Sequence, residues 1–277
     1  AEISVYRAPT DNDRGRGPVD YWGVSSENLG PLGTGTGQWG VSHAQRWEMV
    51  RLHLLRRTWH GSSFKHGTRV LIERWAPPAA QFGLEARWTF TSVDGENEGA
   101  SAGVALPGSR LLVKVEMTPY GEWPERIPRA GVRLRIPGTG WTASWVGETD
   151  IAYTDIPGAN PDGFGHAELE ELWDVGVKPQ EGGHRPGLKV LELRGEERAL
   201  IIIPRSEMGW SASPWSEREL AQAAHWEDLP KSNRTFVWLD AVQDGIGTRS
   251  CGPDARPEFG ARMAARTMEF ILCVTDL

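Results

Sequence analysis

Leu84-Glu85-Ala86-Arg87-Trp88-Thr89-Phe90-Thr91 alternates apolar and polar side chains without a break. Successive side chains of an extended backbone point to opposite faces, so this octapeptide reads as a strand with one buried and one solvated face. The same period recurs around it. Val132-Arg133-Leu134-Arg135-Ile136 repeats the pattern, and Leu111, Val113, Val115 and Met117 share a face opposite Lys114 and Glu116. Further strands are predicted at Arg69–Trp75, Leu188–Leu193, Leu200–Ile203, Phe236–Asp240 and Met268–Val274, most of them bounded by Gly, Pro, Asp or Asn. Leu188–Leu193 shifts phase at Val190-Leu191, as a β-bulge would.

Only Ser216–His225 reads as a helix: Ser216 can cap it, Glu219 completes a capping box, and Leu220 to Ala224 are good helix formers. Strands do not alternate with helices, which excludes a β/α barrel or a nucleotide-binding α/β sheet. The expected fold is therefore all-β, a large antiparallel β-sandwich occupying residues 1–277 as one domain. Gly23–Gly40 is read as a loop and Gly95–Gly103 as a polar turn between strands.

The 277 residues are 39% hydrophobic and 24% charged, the composition of a globular chain. A formal charge of −7 leaves nothing to neutralise a run of phosphates, so nucleic acid is excluded as a partner. The paired arginines Arg14/Arg16 and Arg56/Arg57 read as solvated faces. No stretch approaches the roughly 18 apolar residues of a membrane helix, and no signal pattern opens the chain. Cys251 and Cys273 form neither a disulfide framework nor a metal-ligand cluster, and the seven histidines are scattered, so no metal site is expected. A reduced, cytoplasmic setting fits this cysteine usage. The chain opens on Ala1 directly before a dense motif, which suggests a piece of a longer protein. Fourteen tryptophans are spread from Trp22 to Trp238. Such rings can stack on sugars, but Trp88 and Trp238 lie within strand patterns that point to packing.

Four motifs follow one another along the chain. They are Arg7-Ala8-Pro9-Thr10-Asp11-Asn12-Asp13 with Gly15; Pro179-Gln180-Glu181 with Gly183 and Arg185; Ser211-Ala212-Ser213-Pro214 with Ser216, Leu220, Ala224 and His225; and Leu239-Asp240 with Gln243, Gly245, Gly247 and Ser250-Cys251-Gly252-Pro253. In this order they resemble the C-terminal β-sandwich domain, the small-chain or domain 5 type, of large bacterial β-galactosidases in glycoside hydrolase family 2. A further family element, W-x-G-x-G-P-x-E-N-Y-x-D-R, is degraded. Trp145, Gly147, Tyr153 and Asp155 match it, whereas Glu148 to Ala152 replace its centre.

The resemblance implies a super-sandwich of galactose-mutarotase-like type. It implies a retaining enzyme whose two catalytic glutamates lie on a β/α barrel outside this chain, so no catalytic residue is expected here. Glu168, Glu170 and Glu171 are read as solvated. The expected contribution is an active-site lid formed by Arg14, Gly15, Arg16, Gly17 and Pro18, and a wall formed by the turn Ser250-Cys251-Gly252-Pro253. Cys251 stands where some relatives carry a sugar-stacking tryptophan; lining the site and being a small buried thiol are both open for it. Asp11, Asn12 and Asp13 read first as an Asx-type turn that shapes the loop. The substrate-binding residues expected from the resemblance are thus Cys251, Ser250, Gly15, Arg14 and Arg16. No cofactor is expected in this chain, since magnesium and sodium in the family are bound mainly by other domains. The expected partners are the rest of a longer β-galactosidase, its carbohydrate substrate and further copies in a homo-oligomer. A freestanding carbohydrate-binding module and an oligomer-interface domain are the alternatives. A mutarotase would need a His/Glu pair, for which only His166 and Glu168 offer themselves.

Overall fold

The computed structural model describes residues 1–15, 41–93, 109–156, 158–174 and 176–277. The sequence readings at residues 16–40 and 94–108, including Arg16, the remainder of the expected lid and two glycine-rich segments, lie outside the described residues. Among the described residues thirteen strands form two antiparallel sheets. The smaller joins β1 (Glu2–Ser4), β6 (Arg129–Pro137), β12 (Arg234–Gln243) and β11 (Gly209–Ser213), in that order. The larger begins with β2 (Arg56–Lys65), β3 (Thr68–Ala76), β4 (Gly83–Ser92) and β5 (Ser109–Tyr120). It continues through β13 (Arg266–Asp276), β10 (Arg198–Pro204), β9 (Val190–Arg194), β7 (Thr142–Glu148) and β8 (Asp162–Glu168).

The period-2 patterns place the core between these sheets. Leu84, Ala86 and Trp88 of β4, with Val113, Val115 and Met117 of β5, meet Val132 of β6 and Val237 and Leu239 of β12 in one buried cluster. Trp145 and Trp210 pack edge to face across the layer, with ring centroids 5.3 Å apart. Trp88 and Trp238 are buried, as their strand patterns imply. Burying each large side chain contributes about 1.5–3 kcal/mol, so this alternation is the main source of the sandwich.

The structure corrects two expectations. No register shift falls at Val190-Leu191, because Leu188 lies ahead of the strand and β9 begins at Val190. The bulges are at Trp59/Gly61 and Asp240/Val242 instead. The expected helix is present as α3 (Glu217–Gln222), capped by Ser216, but two others accompany it: α1 (Asp11–Arg14) and α2 (His43–Met49). Both are short and each starts with a capping box, through Thr10 with Asp13 and Ser42 with Gln45. Strands β1, β2, β7, β8 and β11 had no alternation strong enough to announce them. For β2 the cause is physical: all ten of its residues are exposed, so burial imposes no period.

Candidate functional site

The first motif leaves β1 and turns into α1 around a buried ion pair. The Arg7 side chain is fully buried. Its Nε and Nη2 donate to the two Asp13 oxygens at 3.1 and 2.7 Å, and its Nη1 donates to the Asp244 carbonyl at 2.7 Å. Thr10 N and Oγ1 add donors to Asp13 at 2.9 and 3.0 Å. Burial pushes the Asp13 carboxyl up, but the Arg7 charge and these hydrogen bonds reverse the shift and hold it below the usual carboxylate range. An isolated buried charge would be costly; here each charge meets its partner bidentately.

A second buried cluster supports the fourth motif. Arg126 Nε donates to Asp244 at 2.5 Å, its Nη1 to Asp254 at 2.8 Å and its Nη2 to the Gly245 carbonyl at 2.8 Å. His43, the first residue of α2, sets Nε2 2.6 Å from the other Asp254 oxygen. Burial raises Asp254, yet the bonds to His43 and Arg126 outweigh it and bring its pKa down to about 2. Burial likewise lowers His43 despite the facing Asp254. Asp155, a survivor of the degraded element, accepts from the amides of Ile246 and Gly247 at 3.1 and 2.7 Å. The second motif joins the same scaffold: Gln180 accepts from the Asp11 amide at 2.8 Å, and Glu181 N donates to the Ala8 carbonyl at 3.2 Å.

Asn12 then spans the first and fourth motifs. Its Nδ2 donates to the Gly247 carbonyl at 2.7 Å, and its Oδ1 accepts from Ser250 N at 3.1 Å and Ser250 Oγ at 2.6 Å. The segment read as an Asx turn is a capped helical turn whose middle residue reaches a loop 238 positions away. Gly15 lies directly on that loop. A Cβ added there would come within 2.4 Å of the Arg249 carbonyl oxygen and 2.6 Å of Ser250 N, so only glycine allows the approach.

Of the expected substrate-binding residues, the structure therefore brings Gly15 against the segment bearing Ser250 and Cys251, with Arg14 alongside. Ser250 and Cys251 are exposed, while Arg14 and Gly15 are partly buried. Arg14 donates from its guanidinium to the Pro9 carbonyl. Arg16 lies outside the described residues. The buried thiol is Cys273, whereas Cys251 is exposed, which removes the core-thiol reading of Cys251. His166 and Glu168 sit on β8, bonded to Ser144 and Thr142 in exposed positions, without the enclosed acid–base arrangement a mutarotase needs. Glu168 and Glu171 cap a short turn.

His43, Arg126, Asp244 and Asp254 occupy positions that no motif specifies. Arg7, Asp13 and Glu181 were visible within motifs, but nothing in a motif tells a buried scaffold residue from one that touches ligand.

A family model described as Beta galactosidase small chain matches residues 1–272. The chain belongs to the β-galactosidase small-chain family. A β-galactosidase of Arthrobacter sp. (strain B7) is 30% identical over 96% of this chain and 25% of its own length. One from Kluyveromyces lactis is 21% identical over 98% of this chain and 23% of its own. The chain thus spans about a quarter of the length of these curated relatives. Among solved structures, one described as a "Putative aldose 1-epimerase" from Escherichia coli K12 covers 100% of this chain and 84% of its own at 13% identity, with a TM-score of 0.42.

Proposed function

We propose that this small chain is the non-catalytic C-terminal domain of a longer, retaining β-galactosidase. In that enzyme two carboxylates outside this chain, about 5–5.5 Å apart, serve as nucleophile and acid/base in cleaving terminal β-D-galactosides. This domain supplies a lid from residues 14–18 and a wall from Ser250 and Cys251. The observation that carries the reading is the Asn12 bridge with Gly15 on the Arg249–Ser250 backbone. It makes lid base and wall a single surface. The carboxylates beneath that surface are not free for acid–base work: Asp13, Asp244 and Asp254 are each bound to an arginine. Any magnesium or sodium the enzyme uses is expected to take its ligands mainly from other domains.

Two assays test this. The purified 277-residue chain should not hydrolyse nitrophenyl β-galactoside, whereas the longer enzyme should. Turnover by the chain that is abolished by mutating one of its own carboxylates would overturn the reading. In the longer enzyme, Cys251→Trp should create a flat platform beside the aglycone. An aromatic contact contributes about 0.5–1.5 kcal/mol beyond area burial, so affinity for aryl aglycones should rise roughly threefold to tenfold. Unaltered aglycone inhibition constants would place Cys251 away from the sugar site.

A further inference from the structure

The loop that carries Ser250 and Cys251 is closed on itself and held from beneath. Thr248 N and Oγ1 donate to the Pro253 carbonyl at 3.1 and 3.0 Å, and the amides of Cys251 and Gly252 donate to the Thr248 carbonyl at 3.0 and 2.6 Å. Gly247 takes a φ of 62°, and a Cβ there would meet Ala255 N at 2.5 Å, so the two stems of the loop lie against each other. Asn12 and Asp155 bond residues 246, 247 and 250, on the first stem and its continuation. The second stem is anchored through Asp254.

Asp254 reaches down to the start of α2. Its Oδ1 accepts from Ala255 N and from Arg126 Nη1, both at 2.8 Å, and its Oδ2 lies 2.6 Å from His43 Nε2. The buried Arg249 side chain donates to the Val41 carbonyl at 3.5 Å, two residues before His43. Both stems therefore rest on the entry to a seven-residue helix. The charges around His43 decide which nitrogen carries its proton. Arg46 Nη1 lies 3.3 Å from Nδ1, and a guanidinium donates without accepting, so Nδ1 is the acceptor. The ring proton then sits on Nε2 and points at the Asp254 carboxylate. Arg126 Nη1, 2.7 Å from Nε2, sends its own proton to Asp254 Oδ1. Burial lowers the His43 pKa against the pull of Asp254, and the Arg126 and Arg249 charges add to burial, so the ring is neutral at neutral pH. Trp47 stacks on it, with centroids 6.2 Å apart and planes at 25°, and fixes the plane in which Nε2 donates.

We propose that His43 is a positioning residue for the aglycone side of the sugar site: through Asp254 it fixes the second stem of loop 248–254, and with it the exposed surface of Ser250 and Cys251. The proposal rests on the reading of that loop as a wall of the site in the longer β-galactosidase. His43 is buried and meets no substrate; it sets selectivity by setting where the loop stands. The galactose ring, held beside the catalytic carboxylates outside this chain, lies beyond its influence.

Inhibition constants for galactose and for a panel of aryl alcohols, which occupy the glycone and aglycone sides, are measured in the longer enzyme. His43→Phe keeps a ring at this position but has no donor for Asp254. It should raise the aryl alcohol constants roughly threefold to tenfold and move the galactose constant by less than about twofold. His43→Gln restores a neutral N–H and should bring the aryl alcohol constants back to within about twofold of native. Hydrogen exchange follows the loop itself: the Cys251 and Gly252 amides should exchange about tenfold faster in His43→Phe and close to the native rate in His43→Gln. Native aryl alcohol constants in His43→Phe would overturn the proposal. So would a galactose constant that moves with them, or an absence of rescue by glutamine, since either marks a general loss of structure. If His43→Phe does not fold, Asp254→Asn, which keeps the shape of its side chain without the charge, must show the same selective shift, and native constants in it count equally against the proposal. Cys251→Trp, measured alongside, separates the two ideas. Altered aryl alcohol constants there with native ones in His43→Phe defeat the positioning role and leave the wall standing; unaltered constants in Cys251→Trp remove the wall, and the role of His43 with it.

Discussion

Replacing Asn12 by alanine removes three hydrogen bonds at once, to the Gly247 carbonyl and to the amide and hydroxyl of Ser250. A hydrogen bond contributes about 0.5–1.5 kcal/mol net, because water takes over whatever it can reach. Ser250 is exposed, so water replaces two of the three bonds, while Asn12 and Gly247 are partly buried and lose more. The expected global cost is therefore about 1–2 kcal/mol. A chain of this size loses about 2–4 °C of Tm per kcal/mol, giving a drop of roughly 2–8 °C. The local effect should be larger in proportion. Without Asn12 the loop bearing Ser250 loses its side-chain bonds to α1 and keeps the packing of Gly15, and the Ser250 amide should exchange about tenfold faster. Asn12→Asp sharpens the test, since it keeps an acceptor for Ser250 but sets a carboxylate against the Gly247 carbonyl. It should retain slow exchange at Ser250 better than the alanine variant. In the longer enzyme, Asn12→Ala should also alter aglycone inhibition constants. An unchanged Ser250 exchange rate in Asn12→Ala would refute the idea that this amide joins the two segments.

Arg7→Met strands the buried Asp13 charge and should cost about 3–5 kcal/mol, with Asp13→Asn in the same chain restoring part of it; urea denaturation of the two single variants and the double variant measures the coupling. Asp254 gives a pH signature. Its folded pKa of about 2 lies below its ordinary 3.8, so its stabilisation is complete above about pH 4 and is lost as pH falls toward 2. That difference corresponds to about 2 kcal/mol. The stability gap between the native chain and Asp254→Asn should narrow by that amount over this window in urea titrations, and a constant gap would show that Asp254 does not hold its proton so weakly.

The sandwich was legible wherever one face of a strand is buried and the other is wet. Leu84 to Thr91 and Val132 to Ile136 announced β4 and β6 because burial forces their period. β2 was hidden because nothing covers either of its faces, and β8 because Gly163 and Gly165 carry no side chain to mark a face. Gly165 is there for packing, as a Cβ would meet the Trp145 ring at 2.2 Å. α2 escaped notice because seven residues are too few to display a helical stripe, although Ser42 and Gln45 form the box that starts it. At the candidate site, the motifs exposed Asn12, Gly15, Ser250 and Cys251 in sequence but not their meeting. Periodicity reports local burial, and contacts between residues 12 and 250 leave no trace in it. The roles of His43 and Arg126 depend on that same long-range closure.

That closure sets the order of events when the chain is made. Arg7 bonds the Asp244 carbonyl across 237 positions, and Asn12 bonds Ser250 across 238. At about 5–20 residues per second, synthesis leaves roughly 10–50 s between the appearance of Arg7 and that of its carbonyl partner. Hairpins such as β2–β3 and β3–β4 close within a few residues and can form in that interval. The polar scaffold cannot. Until residues 244–254 emerge, the Arg7–Asp13 pair lacks the two bonds that Arg7 makes to the Asp244 and Gly245 carbonyls. A ribosome stalled before that point would thus hold the large sheet in two parts, since the β13 that joins β5 to β10 comes later, and none of the joined platform.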